Sequence, residues 1–297
     1  MDLEILKFLA APFVASLILT GIHSYLGVHV VERGVIFVDL SLAQIAALGA
    51  AIAILLPFTQ GDPHDPRVYW VSLAFTFVGA AIFATVRVKR ARIPQEAIIG
   101  ICYAVASAAA ILAMSKATSE SEHLKDMLVG NILAVDWPEV WRTAALYAAV
   151  GAFHFIFRRK FLAISMNHAE AEKSGLNVRL WDFLFYASFG FVVTSSVSIA
   201  GVLLVFCYLI VPSVAAMLYS EHIGRRLAIG WTMGTVVSAL GIYLSVRLDL
   251  PTGATMVCTF GLVLILMAVL RPLLRRSTAT AAAPDARRVE VGALERS

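Results

Sequence analysis

From Trp181 to Tyr219 the chain carries one charged residue, Asp182, and this apolar run is too long to cross a membrane once. A hydrocarbon core about 30 Å thick is spanned by roughly 20 helical residues, so the run either crosses twice or breaks inside the bilayer. The expected break is Thr194-Ser-Ser-Val-Ser-Ile-Ala-Gly201, where hydroxyls and a glycine can satisfy or redirect backbone groups that lipid leaves unpaired. A basic cluster, Arg158, Arg159 and Lys160, closes the preceding apolar segment, and a short polar passage from Met166 to Gly175 leads into the run. A polar knob followed by an interrupted helix pair suggests a transporter.

Composition supports an integral membrane protein. Of 297 residues, 60% are hydrophobic and 15% charged, and the mean hydropathy is +0.82. A water-soluble domain needs polar surface over its core, whereas lipid-solvated helices can be apolar on every side. The expected fold is all-α, with about 8–9 transmembrane helices. Spanning segments fall near Phe8 to Gly27, Val35 to Leu56, Val68 to Val86, Ala97 to Met114 and Val140 to Phe157. After the long run come Leu227 to Val246 and Thr255 to Leu270. The stretch from Leu124 to Trp141 is half apolar and reads as an interfacial or re-entrant helix, with Trp137 and Trp141 at headgroup depth. Residues 1–276 form one transmembrane domain; the Ala-, Thr- and Arg-rich tail at 277–297 reads as a disordered cytosolic segment. The acidic start, Met-Asp-Leu-Glu, lacks the pattern of a cleaved leader.

Basic residues set the orientation. Eighteen of the 24 lysines and arginines fall in one set of loops: Arg33; the group from Arg87 to Arg92; Arg158 to Lys160; Lys173 and Arg179; Arg225 and Arg226; and the tail. The other side holds Lys7, Arg67, Lys116, Lys125, Arg142 and Arg247. The positive-inside rule then places the knob and C-terminus in the cytosol and the N-terminus outside. The outer loops, residues 59–66 and 119–126, are polar and mildly acidic. Basic charge so distributed belongs to membrane boundaries and gives no reason to expect nucleic acid. Cys102, Cys207 and Cys258 lie inside apolar segments without metal or disulfide spacing.

No motif for ATP binding, serine hydrolysis or zinc proteolysis occurs, so an enzyme finds no catalytic cluster and any ATP hydrolysis belongs to another chain. The knob is the natural place for such a chain to dock. A helix from about Asn167 to Gly175 would carry Glu170 and Glu172 toward its positive end and stop at Gly175. An ordinary cytosolic loop is the plainer alternative. In the second segment, Asp39 is a carboxylate within apolar sequence and thus a candidate for an ion path. Six residues past Arg33, or about 9 Å, it could equally sit at the cytosolic interface. Ser41 and Gln44 share a helix face, whereas Asp39 and Gln44 lie about 140° apart, so they could not both ligate one ion from a straight helix. His23, His29 and His154, near inner helix ends, are candidate metal ligands; helix-to-helix hydrogen bonds are the commoner use of such residues. His64 and His123 belong to outer loops and His168 to the knob.

Several blocks resemble the permease subunits of ABC importers that take up zinc, manganese or iron. They are Leu26-Gly-Val-His-Val-Val-Glu-Arg33 with Val35-Ile-Phe, Ala43-Gln-Ile-Ala-Ala-Leu-Gly49, Glu96-Ala-Ile-Ile-Gly-Ile101 and Leu128-Val-Gly-Asn-Ile-Leu-Ala-Val135. The most specific are Ile199-Ala-Gly-Val-Leu-Leu-Val-Phe-Cys-Tyr-Leu-Ile-Val-Pro212 and Leu248-Asp-Leu-Pro-Thr-Gly253. Together they run from about residue 20 to 270. The resemblance implies a metal-type importer permease fold, a homodimer, a cytosolic ABC ATPase that binds ATP, an extracytoplasmic metal-binding protein, and no permanently bound cofactor. It also implies that the knob, about residues 166–176, is the coupling helix, with His168, Glu170, Ala171, Glu172 and Gly175 at the ATPase; Ala171-x-x-x-Gly175 matches the family's small-residue spacing. One departure stands out. Many members carry an aspartate and a histidine four apart on the second helix as metal ligands. Alignment on Gly49 puts Leu40 and Gln44 at those positions, with Asp39 shifted by one. Asp39, Ser41 and Gln44 are the expected path residues, and Asp39 with Gln44 the expected metal contacts. Glutamine offers a harder, weaker oxygen ligand than imidazole. A metal chelate or other small ligand as cargo, and an ion-coupled secondary transporter using Asp39, are the alternatives.

Overall fold

The computed structural model describes residues 3–57, 59, 65–86, 94–115 and 132–272, and these are helical wherever they are regular. The expected tail, the outer loop at 119–126, His64 and most of the segment before Ile132 lie outside the described residues. The long helices are α1 (Leu3–Arg33), α2 (Val38–Leu55), α3 (Pro66–Val86), α4 (Gln95–Met114) and α5 (Trp137–Ile156). Two short helices follow, α6 (Arg158–Met166) and α7 (His168–Lys173), then α8 (Val178–Tyr219), α9 (Ile223–Leu248) and α10 (Thr252–Pro272).

Local chemistry sets several of these boundaries. After Arg33 the chain turns at Gly34, whose φ of 66° suits a residue without a β-carbon. Phe37 then opens α2 by donating its backbone N–H to Glu96 Oε1 of α4 at 2.9 Å. Asp136 caps α5 through the Glu139 N–H at 2.9 Å, with Pro138 in the first turn, and the interfacial stretch before it contributes a 3-10 turn at Ile132–Ala134. Trp137 and Trp141 stack at 6.3 Å on the exposed face of that turn. The Leu248-to-Gly253 block is a tight reversal. Asp249 takes a left-handed conformation, and the Ser245 hydroxyl binds Leu250 O at 2.7 Å and Thr252 Oγ1 at 2.6 Å.

Helix α8 is the structural axis, and its 42 residues would extend about 63 Å if straight. It does not run straight. Asp182, near its start, pairs with Arg33 at the end of α1, and Arg226, just past its end, pairs with the adjacent Glu32. Both ends of α8 therefore lie at one end of α1. The reversal is Gly201, at φ 75° and ψ 159° the single non-helical residue of the span and in a region essentially reserved for glycine. Midway along, the His23 ring lies 6.2 Å from that of Tyr147 and 6.5 Å from that of Tyr208 on the returning leg. Tyr147 in turn bonds Val192 O at 3.3 Å and accepts from Ser195 at 3.1 Å on the outgoing leg. The expected break thus falls at the last residue of the predicted stretch. Seven described helices are long and apolar enough to span, or eight if the bent pair α5 and α6 is one span. Counting the two legs of α8 separately gives eight or nine, as expected.

Close helix contacts rest on small residues, as in lipid, where packing rather than apolar burial drives association. A β-carbon on Gly27 of α1 would come within 2.0 Å of Leu209 O, and one on Gly49 of α2 within 2.8 Å of Ser72 Cα. Sequence-based helix ends needed correction where charged residues continue a helix. α1 extends to Leu3 and Arg33, beyond Phe8 and Gly27, and α10 spans Thr252–Pro272 rather than Thr255 to Leu270. The basic cluster at 158–160 is the first turn of α6, a nine-residue helix that hydropathy did not reveal.

Candidate functional site

The knob is a capped helical turn. Asn167 Oδ1 accepts the Glu170 N–H at 3.1 Å, satisfying an otherwise open donor of α7. At the other end the Leu176 N–H binds Ala171 O at 3.3 Å and the Gly175 N–H binds Glu172 O at 3.0 Å, a Schellman closure with Gly175 at φ 82°. Ala171 is buried and anchors the turn; Glu170 and Gly175 face outward, with His168 and Glu172 half-buried. No atom lies within 4 Å of where a Gly175 β-carbon would stand. The knob therefore presents Glu170, Lys173 and the open backbone of Gly175 on a fixed base.

That base is wired into the bundle. α6 buries Phe161, Ile164 and Ser165. Ser165 Oγ accepts from Arg33 Nε at 2.8 Å and lies 2.8 Å from His29 Nδ1, which ties α6 to α1. Arg33 also donates from Nη1 to Asp182 Oδ1 at 2.6 Å, and its guanidinium stacks 3.9 Å from the Phe185 ring centroid. The two charged side chains are 0% and 1% exposed. One residue earlier, Glu32 holds Arg226 of α9, whose Nε reaches Ser220 O at 2.8 Å at the end of α8. The last turn of α1 thus grips α6, both legs of α8 and α9. Sequence reading missed this junction. The available signal was Asp182, since a carboxylate buried in an apolar run requires a cationic partner.

The histidines of the helices serve packing and hydrogen bonding. His154 Nε2 lies 2.8 Å from Ser188 Oγ and stacks 4.3 Å from Phe161. His29 bonds Ser165, and His23 Nδ1 lies 2.9 Å from Leu19 O on its own helix. Among the described residues, no group of three or more His, Cys, Asp or Glu side chains could hold a metal ion.

Asp39 sits in the first turn of α2, where the helix dipole favours a carboxylate. It is only 1% exposed and its Oδ1 has no hydrogen-bond partner. The Ser41 hydroxyl is likewise buried and unpartnered, and Gln44 is half-buried. The carboxylate lies within electrostatic reach of Tyr147 of α5 and Cys207 on the returning leg of α8. Helix α2 is regular from Val38 onward, so Asp39 and Gln44 keep their roughly 140° separation and do not converge within one chain. What this region offers is an oxygen-rich helix end with two unsatisfied buried groups.

Comparison with known proteins agrees with this architecture. The chain matches the ABC 3 transport family over residues 5–271. It is 25% identical over 265 residues to the manganese transport system membrane protein MntC of Listeria innocua, covering 89% of this chain and 91% of that protein. It is 20% identical over 275 residues to the manganese import system permease protein ScaB of Streptococcus parasanguinis, covering 93% and 95%. In three dimensions it resembles PsaBC from Streptococcus pneumoniae, solved in complex with Fab, with a TM-score of 0.74, 23% identity, and coverage of 90% of this chain and 95% of that one. With a family match across nearly its whole length and an all-helical fold shared with a solved relative, the chain is a multi-pass membrane protein that belongs to the ABC 3 transport family.

Proposed function

We propose that this chain is the permease of an ATP-driven importer for a divalent transition-metal ion: zinc, manganese or iron. In this reading two copies frame a central path, a cytosolic ATPase docks on α7, and an extracytoplasmic metal-binding protein delivers cargo at the opposite face. The observation that carries it is the capped knob, seated through Ser165 on the Arg33–Asp182 junction, in a chain of an ABC transport family. Relatives named for manganese support metal as cargo. Asp39, Ser41 and Gln44 would line the path, with Asp39 and Gln44 contacting metal; since the two diverge on one helix, an ion would draw its oxygens from both copies of α2. Gln44 in place of imidazole favours one second reading, a metal chelate as cargo.

The deciding experiment compares uptake of radioactive manganese, zinc and iron by cells with and without the gene, each metal limiting in turn. Loss of energy-dependent uptake of one metal is expected. Equal uptake of all three, or transport by the purified chain alone under a proton gradient, would overturn the proposal. Restored uptake when the metal is supplied as a chelate would select the second reading.

A further inference from the structure

The elbow between α5 and α6 carries three cations in succession, Arg158, Arg159 and Lys160. The helices meet there at 74°, so a membrane-length helix ends and the chain turns aside. The Arg158 guanidinium lies 4.3 Å from the Phe155 ring centroid, and the Lys160 ammonium 4.4 Å from Trp181 and 5.6 Å from Phe157. These contacts hold two of the cations in place without neutralising them. Among the described residues, no carboxylate lies within ion-pair distance of any of the three. They border a half-open recess of about 330 Å³ whose remaining walls are Phe155, Ile156 and Phe157. Phe155 and Ile156 are 67% and 71% exposed. In a spanning chain that apolar surface meets acyl tails, while the adjoining cations sit at headgroup depth. The first turn of α6 adds the positive end of its dipole.

One wall for a tail beside three uncompensated charges fits an amphiphile with a negative head. We propose that this elbow binds an anionic phospholipid, with its phosphate between Arg158, Arg159 and Lys160 and its upper acyl chain along Phe155 and Ile156. A zwitterionic lipid carries its own cation and leaves the cluster unneutralised. The site depends only on the chain spanning a membrane, so it stands or falls separately from the identity of the cargo.

The test is retention of phosphatidylglycerol against phosphatidylcholine by the purified full chain, counted by native mass spectrometry during lipid titration. The native chain should retain phosphatidylglycerol preferentially. Each basic residue facing an anionic surface contributes about fivefold, so R158Q/R159Q should weaken retention about 25-fold. The pair R179Q/R225Q, which removes equal charge from exposed positions outside the recess, should leave retention unchanged. K160Q, a single change, should lower it about fivefold. Equal loss in both double variants, no loss in R158Q/R159Q or K160Q, or displacement of the lipid by millimolar inorganic phosphate would overturn the proposal.

Discussion

Replacing Arg33 by methionine tests the junction at the end of α1. The substitution keeps an unbranched apolar stem but leaves the Asp182 carboxylate, 1% exposed, without the cation that holds it at 2.6 Å. Removing one partner of a buried ion pair costs about 3–5 kcal/mol, a large part of the roughly 5–15 kcal/mol by which proteins are stable. For a chain of this size each kcal/mol moves the melting temperature about 2–4 °C, so R33M should melt about 6–20 °C below the native protein. The double variant R33M/D182L removes both charges in favour of apolar groups, and such replacements are neutral or stabilising; it should regain most of the loss. Thermal unfolding of detergent-solubilised protein can be followed by tryptophan fluorescence, since Trp181 packs 5.5 Å from Phe161 beside the pair. A shift in R33M below about 2 °C, or a double variant that falls by the sum of the single ones, would refute a tightly coupled buried pair.

Three further outcomes follow. G175V should lower transport-coupled ATP hydrolysis while moving the melting temperature by only a few degrees, because φ is 82° but nothing crowds the site; full coupling would remove the knob from docking. G201A should destabilise by about 1–3 kcal/mol, since φ 75° with ψ 159° is strained for any other residue; an unchanged melting temperature would show that the reversal does not depend on that conformation. D39A/Q44A should reduce metal uptake at least tenfold while ATPase binding, measured by co-purification, persists; normal uptake would exclude both residues from the path.

Some of this architecture is legible in the sequence because it follows from local chemistry. Gly201 ends the only small and polar run in a stretch too long for one crossing, and it is the residue at which the chain reverses. Asn167 and Gly175 bracket the knob with residues suited to opening and closing a helix, and both do so. α6 was not legible. Its nine residues are three cations followed by a short apolar run, which looks like the frayed end of a span until packing buries Phe161, Ile164 and Ser165. The partnership of Arg33 with Asp182 was hidden for a different reason. The two lie 149 positions apart, and only the packing of the outgoing leg of α8, with Ser165 of α6, against the end of α1 brings them together. Asp39 is mixed: its depth was open in the sequence and only packing buries it, while its divergence from Gln44 was legible because it follows from helix geometry.

The reversal at Gly201 also bears on how the chain is inserted. During synthesis the insertion machinery meets a 42-residue stretch whose charges, Arg179 and Asp182, both lie near its start, and the polar run that ends at Gly201 divides it into two passages. Read as one passage, the segment would deliver every later helix with inverted polarity. Arg226 would emerge on the face opposite Glu32, and their pairing could not form. The parity of the C-terminal third thus follows from the reversal at Gly201, and the Glu32–Arg226 contact can close only in a chain that makes it.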